Sequence, residues 1–188
     1  MPFNFDKFQS MELKKEIRKE VRRRIKELDA ETRDRASKTI FDRIELLPAF
    51  REARSIALFA AMGDEVATKY ALDRWPQLGK HLVVPRVEGD VMRFYPYSPD
   101  RMQTGAFGIE EPMGDDEFVA QDIDLIIVPA RAFTRRGERL GRGGGFYDKY
   151  MSLPGFRAYK IGICYECQLF DELPTAEHDV LVDEVVAR

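Results

Sequence analysis

Between residues 124 and 130 the chain reads Asp-Leu-Ile-Ile-Val-Pro-Ala, with four branched aliphatic side chains in succession and no polar position among them. A strand with one wet face alternates. An unbroken apolar run instead describes a strand covered on both faces, as in the middle of a parallel sheet. Parallel neighbours cannot be joined by tight turns, so crossovers must run over the faces of such a sheet, usually as helices.

The rest of the chain supplies those pieces. In SMELKKEIRKEVRRRIKEL, Leu13, Ile17, Val21, Ile25 and Leu28 recur at helical spacing with Ser10 as N-cap, and Ala36, Ile40, Ile44 and Leu47 mark a second helix stopped before Pro48. SIALFAAM (55–62) reads as a buried strand and GDEVATKYALDRW (63–75) as the helix after it. HLVVPRV (81–87) and VMRFYPY (91–97) read as strands joined through the turn residues Glu88, Gly89 and Asp90. FYDKYM (146–151) starts a helix, YKIGICY (159–165) is a further strand, and the alternating DVLVDEVVA (179–187) completes the sheet. The expected fold is one domain over residues 1–188, a three-layer α/β/α arrangement with an open, mostly parallel sheet and helices on both faces. In such sheets ligands gather at the carboxyl ends of the strands.

With 44% hydrophobic and 34% charged residues, the chain has the composition of a folded, water-soluble protein. A net charge of −3 provides no overall field for nucleic acid or anionic lipid, so any phosphate binding must be local. No stretch approaches the roughly 18 apolar residues of a membrane span, and the N-terminal MPFNFDKFQS lacks a basic flank followed by an apolar run. The expectation is a cytoplasmic protein without nucleic-acid or membrane partners, and nothing in the sequence demands a second subunit. Cys164 and Cys167 form a C-x-x-C, but no second pair accompanies it and the only histidines are His81 and His178. They read as reduced thiols, with Cys164 in the core.

Beyond the apolar run lies RLGRGGGFYD (139–148). Gly141, Gly143, Gly144 and Gly145 leave the backbone bare, so successive N–H groups can face an anion, while Arg139 and Arg142 can add charge-assisted hydrogen bonds and Asp148 can hold a divalent cation. The same residues also suit a flexible, solvated hairpin. No Lys-Ser or Lys-Thr pair follows the glycines, and Phe146 stands where a dinucleotide fingerprint wants its third glycine.

The longer string VPARAFTRRGERLGRGGGFYDKY resembles the signature of the 5-formyltetrahydrofolate cyclo-ligases, or 5,10-methenyltetrahydrofolate synthetases. KKEIR, FAAMGDEVAT, GIEEP and EHDVLVDEVV extend the resemblance, in order, over nearly the whole chain. It implies an enzyme that uses ATP and Mg²⁺ to activate the formyl group of 5-formyltetrahydrofolate as an imidoyl phosphate. N10 then closes the ring, releasing 5,10-methenyltetrahydrofolate, ADP and phosphate.

The resemblance also implies roles. Arg139, Leu140, Gly141, Arg142, Gly143, Gly144, Gly145, Phe146 and Tyr147 would wrap the ATP phosphates, with Arg142 catalytic beside the transferred group. Lys14, Lys15 and Arg18 fall on the family's K-x-x-x-R stretch at the nucleotide site, and Asp148 and Asp179 would hold Mg²⁺. Met62 and the acid Glu65 would line the folate pocket, with Arg142, Phe146 and Tyr147 adding contacts. The chain departs from the pattern at Ala130-Arg131, Thr134, Phe146 and Ala67, the first two affecting loop geometry and the last two the folate contacts. A non-catalytic nucleotide- or folate-binding module, or a related ATP-dependent enzyme with another substrate, are the alternative readings.

Overall fold

The apolar run becomes a strand flanked on both sides. In the computed structural model, which describes residues 5–105 and 108–188, the helices are α1 (Phe5–Lys26), α2 (Ala30–Leu46), α3 (Pro48–Glu52), α4 (Lys69–Arg74) and α5 (Phe146–Met151). The strands are β1 (Ser55–Ala57), β2 (His81–Glu88), β3 (Val91–Pro96), β4 (Met102–Thr104), β5 (Glu110–Pro112), β6 (Leu125–Val128), β7 (Ala132–Phe133), β8 (Arg139–Leu140), β9 (Tyr159–Cys164) and β10 (Glu184–Ala187). Six of them form a sheet in the order β10-β9-β6-β1-β2-β3, parallel throughout except for the β2–β3 hairpin at one edge. The pairs β4–β5 and β7–β8 are separate and antiparallel.

Period-two alternation divides the core. Leu125 and Ile127 of β6, Ile56 of β1 and Ile161 and Ile163 of β9 pack with Val21 and Ile25 of α1, Ile40, Phe41 and Ile44 of α2, Phe50 of α3 and Trp75. Ile126, Val128, Ala57 and Cys164 point to the opposite face, where Tyr150 and Met151 of α5 meet Phe94 and Phe133. Helices therefore cover both faces, unequally. Cys164 is a free, buried thiol, and burial pushes its pKa above the ordinary value. No helix among the described residues is long and apolar enough to cross a membrane.

Several expected boundaries move. Ser10 lies inside α1, which begins at Phe5, so it is not an N-cap. The 55–62 run pairs as strand only over Ser55–Ala57, and the helix expected at 63–75 shrinks to Lys69–Arg74. Side chains intercept the intervening backbone: Glu65 accepts from the Met62 N–H at 2.8 Å, Thr68 from Ala61 at 3.0 Å and Ser37 from Ala67 at 3.0 Å. Such local bonds compete with helix and ladder pairing. The strand expected at 179–187 starts only at Glu184, because Val180 and Val182 donate to Asp148 and Gly137 instead of to a neighbouring strand. Between β2 and β3, Glu88 pairs with Val91, leaving a two-residue Gly89-Asp90 turn with Gly89 at φ 65°.

At the end of α3, Lys80 Nζ donates to the carbonyls of Phe50, Arg51 and Ala53 at 2.7, 3.1 and 2.6 Å, and it sits 4.6 Å from the Phe50 ring centre. These carbonyls have no further helical turn to bond, so the ammonium takes its place. Lys80→Met is expected to lower the unfolding free energy by about 1–3 kcal/mol in urea titration, because the acceptors lose a charged donor.

Candidate active site

The first strand in sequence, β1, lies in the interior of the sheet. From it the chain adds β2 on one side and later β6, β9 and β10 on the other. Between β1 and β6 successive connections diverge, and the strands' carboxyl ends open a crevice. Phe59, Ala60 and Met62 after β1, and Pro129 and Ala130 after β6, line a cleft of about 550 Å³ there. Its roof is the 139–148 segment, while Lys14 and Arg18 reach in from α1.

Among the described residues, no backbone N–H from Gly141 to Gly145 donates to another group of the protein. Two of these residues, Gly143 (φ 120°) and Gly145 (φ 68°), occupy backbone regions that L side chains resist. Arg18 Nε donates to the Gly141 carbonyl at 2.8 Å, fixing one end of the loop. Burial, helped by the nearby positive Arg131, holds the Arg18 pKa below its ordinary value, so the site favours an anion beside it. At the other end Phe146 packs its ring over Gly144, where a Cβ would come within 2.7 Å of it.

Arg139 is a clasp. Its side chain is 4% exposed and donates to the Pro129 carbonyl at 3.0 Å and to Asp148 Oδ2 at 3.2 Å. Leu140 is buried in the core as well as lining the cleft. Asp148 Oδ1 accepts from the Val180 N–H at 3.0 Å, which draws the 176–180 segment to the cleft and brings the neighbouring Asp179 with it. Lys14 Nζ lies 4.0 Å from Asp179 Oδ2, whereas Lys15, the next residue on α1, points to solvent and pairs with Glu12 at 2.7 Å. Consecutive helical residues differ by about 100° in direction, so only one of the two lysines can face the loop.

Arg142 and Glu65, both expected to meet ligands, meet each other. The Arg142 guanidinium donates to Glu65 Oε1 at 3.0 and 3.1 Å and to Asp64 Oδ1 at 2.7 Å. Burial pulls the Arg142 pKa down, but its hydrogen bonds to Asp64 and Glu65 and the negative charge of both acids outweigh it, and the net shift is upward. Asp64 also pairs with Arg131, and although burial pushes its carboxyl up, Arg142 and Arg131 together hold it below the ordinary value. Met62 and Tyr147 line the same side. Burial, reinforced by Glu65, pushes the Tyr147 phenol well above its usual pKa, so it remains neutral.

Comparison with known proteins bears on this cleft directly. The model of the 5-formyltetrahydrofolate cyclo-ligase family matches residues 10–188. The chain belongs to this family. A 5-formyltetrahydrofolate cyclo-ligase from Haemophilus influenzae is 31% identical over 143 residues, covering 72% of this chain and 76% of its own length. One from Mus musculus is 27% identical over 187 residues, covering 92% of each. The solved structure of Aquifex aeolicus 5,10-methenyltetrahydrofolate synthetase superposes with a TM-score of 0.82 at 35% identity, covering 93% of this chain and 89% of that one. The cyclo-ligase match includes Lys14 and Arg18 of α1 and the whole 139–148 loop, so the residues that reach the cleft from both fall within it.

Two residues of this cyclo-ligase family member escaped the sequence reading. Arg131 was visible only as a departure after Val-Pro, yet it is 8% exposed and pairs with Asp64, which also holds Arg142. Glu111, inside GIEEP, is 7% exposed and lines the cleft from the side of β2. A buried charge is a usable signal, but burial is not written in the sequence at those positions.

Proposed function

We propose that this cleft binds MgATP and 5-formyltetrahydrofolate and that the protein catalyses their conversion to 5,10-methenyltetrahydrofolate, ADP and phosphate. The unpartnered amides of Gly141–Gly145, flanked by Lys14 and Arg18, are the observation that carries the reading. An anion-seeking backbone beside cations suits a polyphosphate. Pro85, Val87, Met92 and Ile109 give the opposite wall the apolar character that a flat pterin requires.

The formyl oxygen attacks the γ-phosphorus and ADP leaves. N10 then attacks the formyl carbon, the carbon–oxygen bond breaks, and the oxygen departs with phosphate while N10 releases its proton. The protein's part is to align these atoms and to meet negative charge as it moves outward along the phosphates. Lys14 and Arg18 anchor the triphosphate, the glycine amides cradle it, and Arg142 exchanges its acids for the transferred group. Lys15 is left out of this assignment because of its direction.

In this reading Asp148 and Asp179 would hold Mg²⁺, Asp148 giving up its bond to Arg139 to do so. Asp148 and Asp179 are linked through Val180, and among the described residues no cluster of three metal-ligating side chains surrounds them. Two carboxylates leave the remaining positions to phosphate oxygens and water, as this small hard cation prefers. Bound there, Mg²⁺ would neutralise phosphate charge.

Incubating the protein with 5-formyltetrahydrofolate, ATP and Mg²⁺ is expected to produce the near-ultraviolet absorbance of the methenyl product, and to do so only with ATP present. Absence of that band overturns the catalytic reading. Binding of both ligands without turnover would make the protein a non-catalytic member of the family.

A further inference from the structure

We propose that Arg131 is a positioning residue for this reaction: by keeping hold of one oxygen of Asp64, it lets Arg142 leave that acid for the transferred phosphate. The inference rests on the reading of Arg142 above and adds to it the charge that makes its release possible.

Two acids and two guanidiniums form one cluster. Asp64 offers Oδ1 to Arg142 at 2.7 Å and Oδ2 to Arg131, so a single carboxylate bridges both cations, while Glu65 takes Arg142 at 3.0 and 3.1 Å. The two arginines are held differently. The Arg131 side chain is 10% exposed and that of Arg142 33%. The Arg131 N–H donates to the Leu140 carbonyl at 2.8 Å, and the buried Gln168 amide donates to the carbonyls of Ala130 and Arg131 at 3.1 and 3.0 Å. Arg142 sits instead in the loop whose N–H groups have no partner among the described residues. One cation is clamped at its backbone and the other is carried by the loop. Arg131 does not itself line the cleft, so it acts through Asp64.

With all four groups ionised the cluster is neutral. Burial pushes the Asp64 carboxyl up, but Arg142 and Arg131 together bring it below its ordinary value and keep it charged. When Arg142 turns to a phosphate, Asp64 still has Arg131. Without Arg131 the same turn would leave two consecutive carboxylates, Asp64 and Glu65, with no guanidinium on either while a triphosphate lies nearby. Like charges set that close oppose one another, and an acid stripped of one cation holds the remaining one harder. The charge of Arg131 also reaches Arg18, where it adds to burial in lowering the pKa of the residue that fixes the start of the loop. Arg131 is one of the positions at which the chain departs from the family pattern, and the departure supplies this charge.

The test is a double-mutant cycle on kcat, with thermal unfolding as the check on folding. Arg131→Met is expected to lower kcat about tenfold in the wild-type background but less than about twofold further in Arg142→Ala, because its effect passes through that residue. Adding Asp64→Asn to Arg131→Met removes the acid left without its cation and is expected to bring kcat back to within about threefold of wild type. A purely structural role would give equal losses in both backgrounds and no recovery. If Arg131→Met does not fold, Arg131→Gln takes its place, since it keeps a donor for Asp64 and loses only the charge. An unchanged kcat in the folded variant, equal losses in both backgrounds, or no recovery with Asp64→Asn overturns the role of Arg131 alone. Full activity of Arg142→Ala overturns the reading of Arg142 and this inference with it, and wild-type protein that does not convert 5-formyltetrahydrofolate overturns the proposed function as well.

Discussion

Arg142→Ala is expected to lower kcat about a hundredfold to a thousandfold, with the KM for 5-formyltetrahydrofolate moving less than about threefold. The expectation follows from what Arg142 does before any phosphate arrives. Its guanidinium is held by Glu65 and Asp64, and because these bonds raise its pKa it stays cationic at every working pH. Both acids have other partners: Asp64 keeps Arg131, and Glu65 keeps the Met62 N–H. Arg142 can therefore turn to a phosphate without leaving either carboxylate unpaired. In the ground state it would then trade one set of anionic partners for another, which would contribute little net binding. Under the proposed mechanism, the charge opposite Arg142 would grow as the γ-phosphoryl group loosens while the acids' charge would not, so its attraction would be strongest at the barrier. Arg142→Lys keeps the charge and loses the planar fork, and should recover only part of the rate. Steady-state kinetics with varied folate and ATP separate the terms. An unaltered kcat in Arg142→Ala would remove the residue from the chemistry.

The same cluster shows what a sequence can and cannot reveal. Leu125–Val128 and the hairpin around Gly89-Asp90 were legible because their signals are local: unbroken apolarity for burial on both faces, and turn chemistry at fixed spacing. The glycine loop was legible as a candidate anion site for the same reason. SIALFAAM misled because its apolar residues serve two purposes. Ser55–Ala57 pair in the sheet, Leu58 and Phe59 are buried beyond the paired stretch, and Met62 turns to the cleft. Composition does not distinguish these environments. Arg131 and Arg142 join Asp64 from 67 and 78 residues away, so the ion pairs that set the resting position of Arg142 belong to tertiary structure alone. Glu111 was hidden by the opposite effect, since an acid in Gly-Ile-Glu-Glu-Pro looks like surface until β5 is laid against β2.

Gly137→Ala is expected to have the largest effect on the fold, a loss of about 3 kcal/mol or more and a thermal midpoint lower by roughly 10 °C. Gly137 closes the β7–β8 turn at φ 95°, and a Cβ there would stand 2.2 Å from the Val182 carbonyl oxygen. Backbone, not a flexible side chain, occupies that space. No rotamer change relieves the overlap, and the Val182 N–H already donates to the Gly137 carbonyl at 2.9 Å. Either the turn opens or the 179–183 segment moves away. The second outcome carries Asp179 and Val180 from Asp148, so the variant should lose turnover even well below its melting temperature, with the loss most pronounced at low Mg²⁺. Gly89→Ala is the control, because Gly89 also has positive φ (65°) but a Cβ at that position would meet nothing within 4 Å. It should cost about 1 kcal/mol, the strain of the backbone conformation alone. Equal melting temperatures for the two variants would show that Val182 yields freely, and that the segment bearing Asp179 is not held in the cleft by this contact.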